Sequence, residues 1–338
     1  MTAPPAPPPR HHFAIRKLGD SPQEAIAWVL QQAGFPAASG LRVFLKPNFT
    51  YPFYKPGVTT TREVLEATVR HLKDQGCSRI TIGEGDGGYN SFSMEETFRN
   101  YRLEELTARY GVEVVNTSKW PSLPIEISAR RGDFTVNLPR PVFEEFDTFI
   151  TLPVPKVHAM TTISNSVKNQ WGLVQDSMRL HFHVAFDEII TELCRRLPKP
   201  FALVDGTWGL TRNGPMIEGV ELPLGWVAAC DNLWLNDRLV CELMRMPMSR
   251  VEHLVWAERA GLMPGREDAQ FHGDFAAFVD DRFYLRRNLW NYAAKSTWYS
   301  RSWNHFVYFG KLSGLLHKLM YSFRTKPKEL AAKGVDWK

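Results

Sequence analysis

The chain has 338 residues, 44% hydrophobic and 23% charged, an ordinary globular composition that excludes a disordered or collagen-like protein. It suits one large α/β domain with an appendage, or two modest domains. The 41 Lys and Arg exceed the 36 Asp and Glu by only enough to leave a net charge of +5, too dilute over this length to demand nucleic acid.

Cys77, Cys194, Cys230 and Cys241 are far apart with no Cys-x-x-Cys. No cysteine-ligated iron–sulfur cluster is therefore expected, and the thiols read as buried groups in a reducing cytoplasm. Residues 1–12 are proline-rich and read as a disordered tail; no signal peptide and no spanning apolar run is expected.

Folding is expected to start near Phe13. Ser21-Pro22 opens a helix carrying Ala25, Ile26, Val29 and Leu30 to a stop at Gly34. Residues 41–45 form a strand, Thr60-x-x-Glu63 a capping box for a helix that stops at Gly76, and residues 79–82 the next strand. That unit has the length of a right-handed βαβ crossover, and its long loop, 48–59, reads as functional. Ser93-x-x-Glu96 caps a helix that runs to Gly111, and residues 112–115 form a strand.

Residues 117–142 read as a β-rich insertion. Strands resume at 148–152, 201–204 and 226–229, with helices at 163–171, 184–197 and 233–244. The alternation predicts an α/β fold over residues 13–250, with a doubly wound, mainly parallel sheet. Residues 251–338 read as a C-terminal helical extension. Within it, residues 282–328 carry ten Lys or Arg and no acid, interleaved with Trp290, Tyr292, Trp298, Tyr299, Trp303, Tyr308 and Phe309.

Ligands of open α/β sheets sit outside the carboxyl ends of the strands. Lys46 and Asn48 follow the first strand, Glu84 and Asp86 the second, Lys156 and His158 the strand ending at Leu152, then Asp205 and Asp231. The two last aspartates read equally well as helix caps. Lys46 and Lys156 stand beside prolines on stiffened backbone, where a merely solvated lysine gains nothing. Glu84 lies in Gly83-Glu84-Gly85-Asp86-Gly87-Gly88, whose two carboxylates and glycine spacing argue against a phosphate cradle and read equally well as a plain glycine turn.

Residues 158–183 are the densest stretch, with Lys168, Asn169, Arg179, His181 and His183. Histidine exchanges protons near neutral pH, and a lysine close to other cations can act as base or nucleophile. His181-x-His183 with Asp187 also admits a divalent metal, without a third ligand at diagnostic spacing; a structural role suits at least one of the pair better. Residues 206–215 read as a second irregular loop over the same rim.

Lys46-Pro47-Asn48, the Val154 to His158 run, Ser166-Val-Lys-Asn-Gln-Trp-Gly172, the His181 region, Val204-Asp205 and Gly214-Pro215 occur in that order. Over residues 41–247 the chain thereby resembles the family known as domain of unknown function 362. Many members carry an iron–sulfur ferredoxin module; this chain departs from them, lacking the cysteines. A looser similarity of plan links such proteins to lactate racemase-like enzymes, as an analogy of fold that does not imply their nickel cofactor.

The leading expectation is an enzyme acting on a small anionic metabolite. Lys46, Lys156 and Lys168 would hold carboxylate or phosphate oxygens, and His158, assisted by His181 or His183, would be the acid/base. Glu84 would orient a hydroxyl or amine, and Asn48, Asp86, Asn169, Arg179 and Asp205 complete the binding set. Racemisation, elimination or ligation suits these groups better than hydride transfer, for which no nicotinamide fingerprint exists.

The alternative is a metal- or iron–sulfur-linked redox partner or accessory protein without chemistry of its own. Residues 282–328 are expected to pack on the domain or a second subunit, in preference to a peripheral membrane contact. Specific nucleic-acid binding is not expected.

Overall fold

The computed structural model describes residues 10–87, 92–215 and 218–322. The predicted tail, apart from residues 10–12, lies outside them, as does Gly88.

Strand β1 (His11–Lys17) leads through α1 (Pro22–Gln32) to β2 (Arg42–Pro47), and α2 (Arg62–Asp74) to β3 (Arg79–Glu84). Helices α3 (Met94–Asn100) and α4 (Leu103–Tyr110) precede β4 (Glu113–Asn116). The insertion is an antiparallel hairpin, β5 (Ser122–Ala129) and β6 (Gly132–Pro139), forming its own two-stranded sheet. A short α5 (Arg140–Glu144) leads into β7 (Thr148–Leu152), followed by β8 (Lys156–His158), β9 (Thr162–Ser164), α6 (Ser166–Asn169) and α7 (Phe186–Arg196). Then come β10 (Pro200–Thr211), β11 (Val220–Cys230), α8 (Leu233–Leu243), α9 (Glu252–Arg259) and β12 (Ala269–His272). The C-terminal helices are α10 (Leu289–Ser296), α11 (Arg301–Tyr308) and α12 (Ser313–Ser322).

The main sheet has the order β12-β1-β11-β10-β7-β2-β3-β4, with the β8–β9 hairpin attached to β10. All neighbours on that path are parallel except the pairs made by β11, which runs against both β1 and β10. Strand residues alternate between two cores. Phe13, Ile15, Phe44, Phe149 and Val204 join one face with α7, α8, α9 and the hairpin. Ala14, Val43, Leu45, Ile150 and Leu203 join the other with α1, α2 and α4. Burial on both faces is why these strands read as continuous apolar runs.

From β2 the chain winds outward through β3 and β4, then returns to lay β7 on the other side of β2. The order therefore reverses between β2 and β7, and the crevice at their carboxyl ends is where such sheets bind ligands.

Several predicted elements change. Strand β1 begins at His11, inside the stretch read as tail, and had no predicted counterpart; its apolar core is only Phe13-Ala-Ile. The helix expected from Ser93 to Tyr110 is two helices, broken where Arg102 takes φ 53°. The helix expected at 163–171 starts only at Ser166, because Asp237 accepts from the Ser166 and Val167 amides at 2.9 and 3.0 Å. Residues 206–211 are the second half of β10, continued past a bulge, and not a loop. The segment after residue 250 is not purely helical, since β12 pairs in parallel with β1 in the main sheet.

Candidate functional site

Lys46 ends β2 fully buried, and its Nζ meets Glu84 Oε1 at 2.7 Å and Oε2 at 2.6 Å. Glu84 also accepts from the amides of Phe49 and Gly85. Burial pushes the Lys46 pKa down, opposed by Glu84. Gly172 closes over the pair; a Cβ there would stand 2.2 Å from Glu84 Oε1 and 2.9 Å from Lys46 Nζ. The Gly85 backbone approaches the Gly172 carbonyl. Lys46 and Glu84, read as substrate groups, thus face each other.

Four other predicted binding residues hold the scaffold together. The Asn48 amide donates to Thr60 Oγ1 at 2.7 Å, and that hydroxyl donates to the Leu152 carbonyl at 2.7 Å. Thr60 therefore bridges the ends of β2 and β7, and the cap of α2 is Thr61. Asp205 accepts from the Thr61 amide at 2.6 Å and from both the amide and hydroxyl of Thr207. Asp86 accepts from the Met94 amide and from Asn116, anchoring α3. Asn169 Nδ2 donates to Thr151 Oγ1 at 2.8 Å and lies 3.3 Å from the Lys46 and Pro47 carbonyls, across the β2–β7 crevice.

Arg179 donates to the carbonyls of Trp171, Val174 and Asp86, fixing the turn that follows α6. Asp231 lies at the far end of the sheet, because β11 is reversed; it takes the His12 amide at 3.2 Å.

Lys156 and His158 sit two apart in β8 and so share one side of it. Lys156 Nζ donates to the Val58 carbonyl of the long 48–61 loop. That loop is held in place where Gly57, at φ 70°, lies against the Gly209 carbonyl, leaving no room for a side chain. His158 Nδ1 accepts from the amides of Met160 and Thr161 at 3.0 and 3.3 Å, so the neutral ring carries its proton on Nε2. Burial, then Lys168 and Lys156, hold His158 well below the usual histidine range. Burial and Lys168 likewise depress Lys156.

Lys168 is the centre of this arrangement. It projects from α6, partly buried, with no carboxylate in salt-bridge distance among the described residues. Burial, Arg179 and Lys46 lower its pKa to about 8. Its charge in turn depresses Lys156, His158, His183 and His253.

His183 stacks on Trp171 at 5.9 Å and lies 4.5 Å from the Trp298 ring. His253, on α9, is buried edge-on to Phe186. Burial and Lys168 take both imidazoles to about 3. His183 Nδ1, both ring nitrogens of His253 and both side-chain polar atoms of Asn165 are buried without a hydrogen-bond partner among the described residues. His183 also borders a cavity of about 280 Å3 lined by Arg130, Arg131, Trp256, Arg259, Trp298 and Tyr299.

His181 goes elsewhere. Its Nε2 is 3.4 Å from Asp176 near the surface, and its ring touches Phe182. The segment Arg179–Ala185 is a 3-10 helix, in which residues two apart point in different directions. The expected His-x-His convergence is therefore lost, and Asp187 pairs with Arg130. Among the described residues no three His, Cys, Asp or Glu are placed to hold a metal.

Sequence reasoning misses His253 and the place of Trp298 at this site. Neither belongs to a motif; a histidine inside a short amphipathic helix reads as an ordinary core residue. Trp298 stands out only as one of a run of aromatics.

The frame is that of a mixed α/β protein with a polar crevice at the switch point of a largely parallel sheet. The family model described as "Domain of unknown function (DUF362)" matches residues 43–242, and the chain belongs to this family. The "Thylakoid-associated protein sll1697" of Synechocystis sp. is 26% identical over 247 residues, which is 69% of this chain and 72% of that protein. A crystal structure of a structural-genomics target from Thermotoga maritima aligns with a TM-score of 0.40 and 13% identity over 59% of this chain. The alignment spans about half of that solved chain, 52%. Among the described residues no helix is long and apolar enough to cross a membrane.

Proposed function

We propose that the chain is an enzyme that moves a proton on a small anionic metabolite, with Lys168 as the base and His158 as the hydrogen-bond donor. One observation carries this reading. Among the described residues Lys168 has no carboxylate in salt-bridge distance and titrates near 8, and its charge acts on His158, a neutral imidazole whose Nε2 bears the proton.

A lysine with that pKa divides between amine and ammonium at neutral to mildly alkaline pH. The amine can take a proton from carbon next to a carboxylate, and the ammonium can return it. His158 is too weak a base for the task, but its Nε2–H can donate to the oxygen on which charge develops, as a neutral imidazole does in enolisation. Lys156 adds a donor on the same side of β8. The unpartnered nitrogens of His183 and His253 are places for substrate oxygens, since buried polar atoms in a native protein are seldom left unbonded. Lys46 and Glu84 act as a neutral pair that fixes the crevice floor. Racemisation, epimerisation or elimination all begin with such a step. The four unpaired, buried thiols favour a reducing compartment, the cytoplasm, for this reaction.

The test works whatever product forms. Small 2-hydroxy, 2-amino and phosphorylated acids are incubated with the protein in D2O, and loss of the α-proton signal is followed by NMR. At least one acid is expected to exchange, at a rate that falls by roughly 100-fold or more in Lys168→Met and His158→Ala. Exchange that survives both substitutions overturns the assignment.

A further inference from the structure

Helices α10 and α11 are inside out. The one buried residue of α10 is Asn291, and the one buried residue of α11 is Asn304, whose amide donates to the Leu180 carbonyl at 2.9 Å. Their large apolar side chains face outward. Among the described residues ten large hydrophobics are exposed, and eight of them fall within residues 289–315. Leu289 is 86% exposed, Leu315 66% and Leu312 52%. Trp303 and Phe306 stack on each other at 5.6 Å, both exposed. Packing on the domain holds Trp298 and leaves Trp290, Tyr292 and Trp303 outside, so it accounts for only part of the aromatic segment.

Such a concentration of apolar surface marks a site of association, and its charge says with what. Residues 282–328 contain ten Lys or Arg and no Asp or Glu. Arg286, Lys311 and Lys318 have no carboxylate in salt-bridge distance among the described residues. A second copy of the chain is a poor cover, because a two-fold contact would set this cationic segment against itself. Exposed Trp, Tyr and Leu with lysines between them suit the boundary of an anionic lipid layer, where rings lie at headgroup level, aliphatic chains dip below and ammonium groups meet phosphate. We propose that α10–α12 are a docking face for an anionic membrane surface, on which the enzyme lies without spanning it.

The full chain is sedimented with vesicles of phosphatidylcholine alone and of phosphatidylcholine mixed equally with phosphatidylglycerol, at low and high salt. Binding to the anionic vesicles, weakened by salt, is expected. Leu289→Glu with Leu315→Glu is expected to reduce it by about tenfold or more, and Lys311→Glu with Lys318→Glu by a similar factor. All four side chains are exposed, so circular dichroism and thermal unfolding should be unchanged. Absence of binding to anionic vesicles overturns the proposal. So does salt-sensitive binding that ignores the leucine substitutions, or a dimer seen by light scattering that the leucine pair disrupts while vesicles are not bound.

Discussion

The two sides of the crevice treat buried polar groups in opposite ways. At the ends of β2, β3 and β10 each singled-out group has found a partner: Lys46 has Glu84, Asn48 has Thr60, Asp86 has Met94 and Asn116, and Asp205 has Thr61 and Thr207. On the α6–α9 side Lys168, with no carboxylate in salt-bridge distance among the described residues, depresses His183 and His253, of which His183 Nδ1 and both nitrogens of His253 are unpaired there. Saturated pairs fix a backbone and leave nothing for a ligand. Unpaired buried groups weaken the resting protein and are retained where a ligand completes them.

The contrast breaks first at Glu84. Glu84→Ala leaves Lys46 buried with no counter-charge, and is expected to destabilise by about 3–5 kcal/mol in urea unfolding. A loss under about 1 kcal/mol would mean that the pair is not closed.

The next effect is a pH dependence. His253 titrates near 3 in the folded protein against 6.5 in the unfolded chain. The unfolded chain therefore takes up a proton first, and stability is lost as pH falls from 6.5 toward 3. Relative to His253→Leu, the native protein should lose on the order of 2 kcal/mol between about pH 6.5 and about pH 4.5; parallel stability curves would place His253 in contact with solvent.

The last effect, opposite in sign, sharpens the contrast. Lys168→Met should raise stability at neutral pH, the reverse of the Glu84 result, because a depressed lysine is a penalty on folding. The lysine pKa falls from 10.5 to about 8 on folding. Its penalty is complete below pH 8 and fades as pH rises from 8 to 10.5, so the two unfolding curves should converge over that window. A variant less stable than the native protein at neutral pH would give Lys168 a structural role.

Much of this frame was legible because parallel strands buried on both faces make plain apolar runs, and because polar residues just after them mark the ligand end. Lys156 and His158 were singled out that way, and Lys168 by the density of polar residues between 158 and 183. Roles were less legible than positions. Thr60 and Asp205 have side chains suited to a cap or a site, and only the meeting of β2, β7 and β10 decides which. Asp231 was misplaced because nothing in residues 220–230 announces that this strand is reversed. The His181/His183 pairing assumed an extended backbone, and the 3-10 turn separates the two rings. His253 needs the packing of α9 against α7 to come within reach of Lys168, a contact that no local pattern encodes.

Among the described residues strand β1 pairs only with β11 and β12, whose residues begin about 200 positions later. At ribosomal speeds of about 5–20 residues per second, this segment waits roughly 10–40 s for its first neighbour. In that interval the nascent chain holds an unpaired strand with a Phe-Ala-Ile centre. The flanking His11, His12, Arg16 and Lys17 then act as guards against premature pairing. This side of the sheet thus closes only after β11 and β12 have been made.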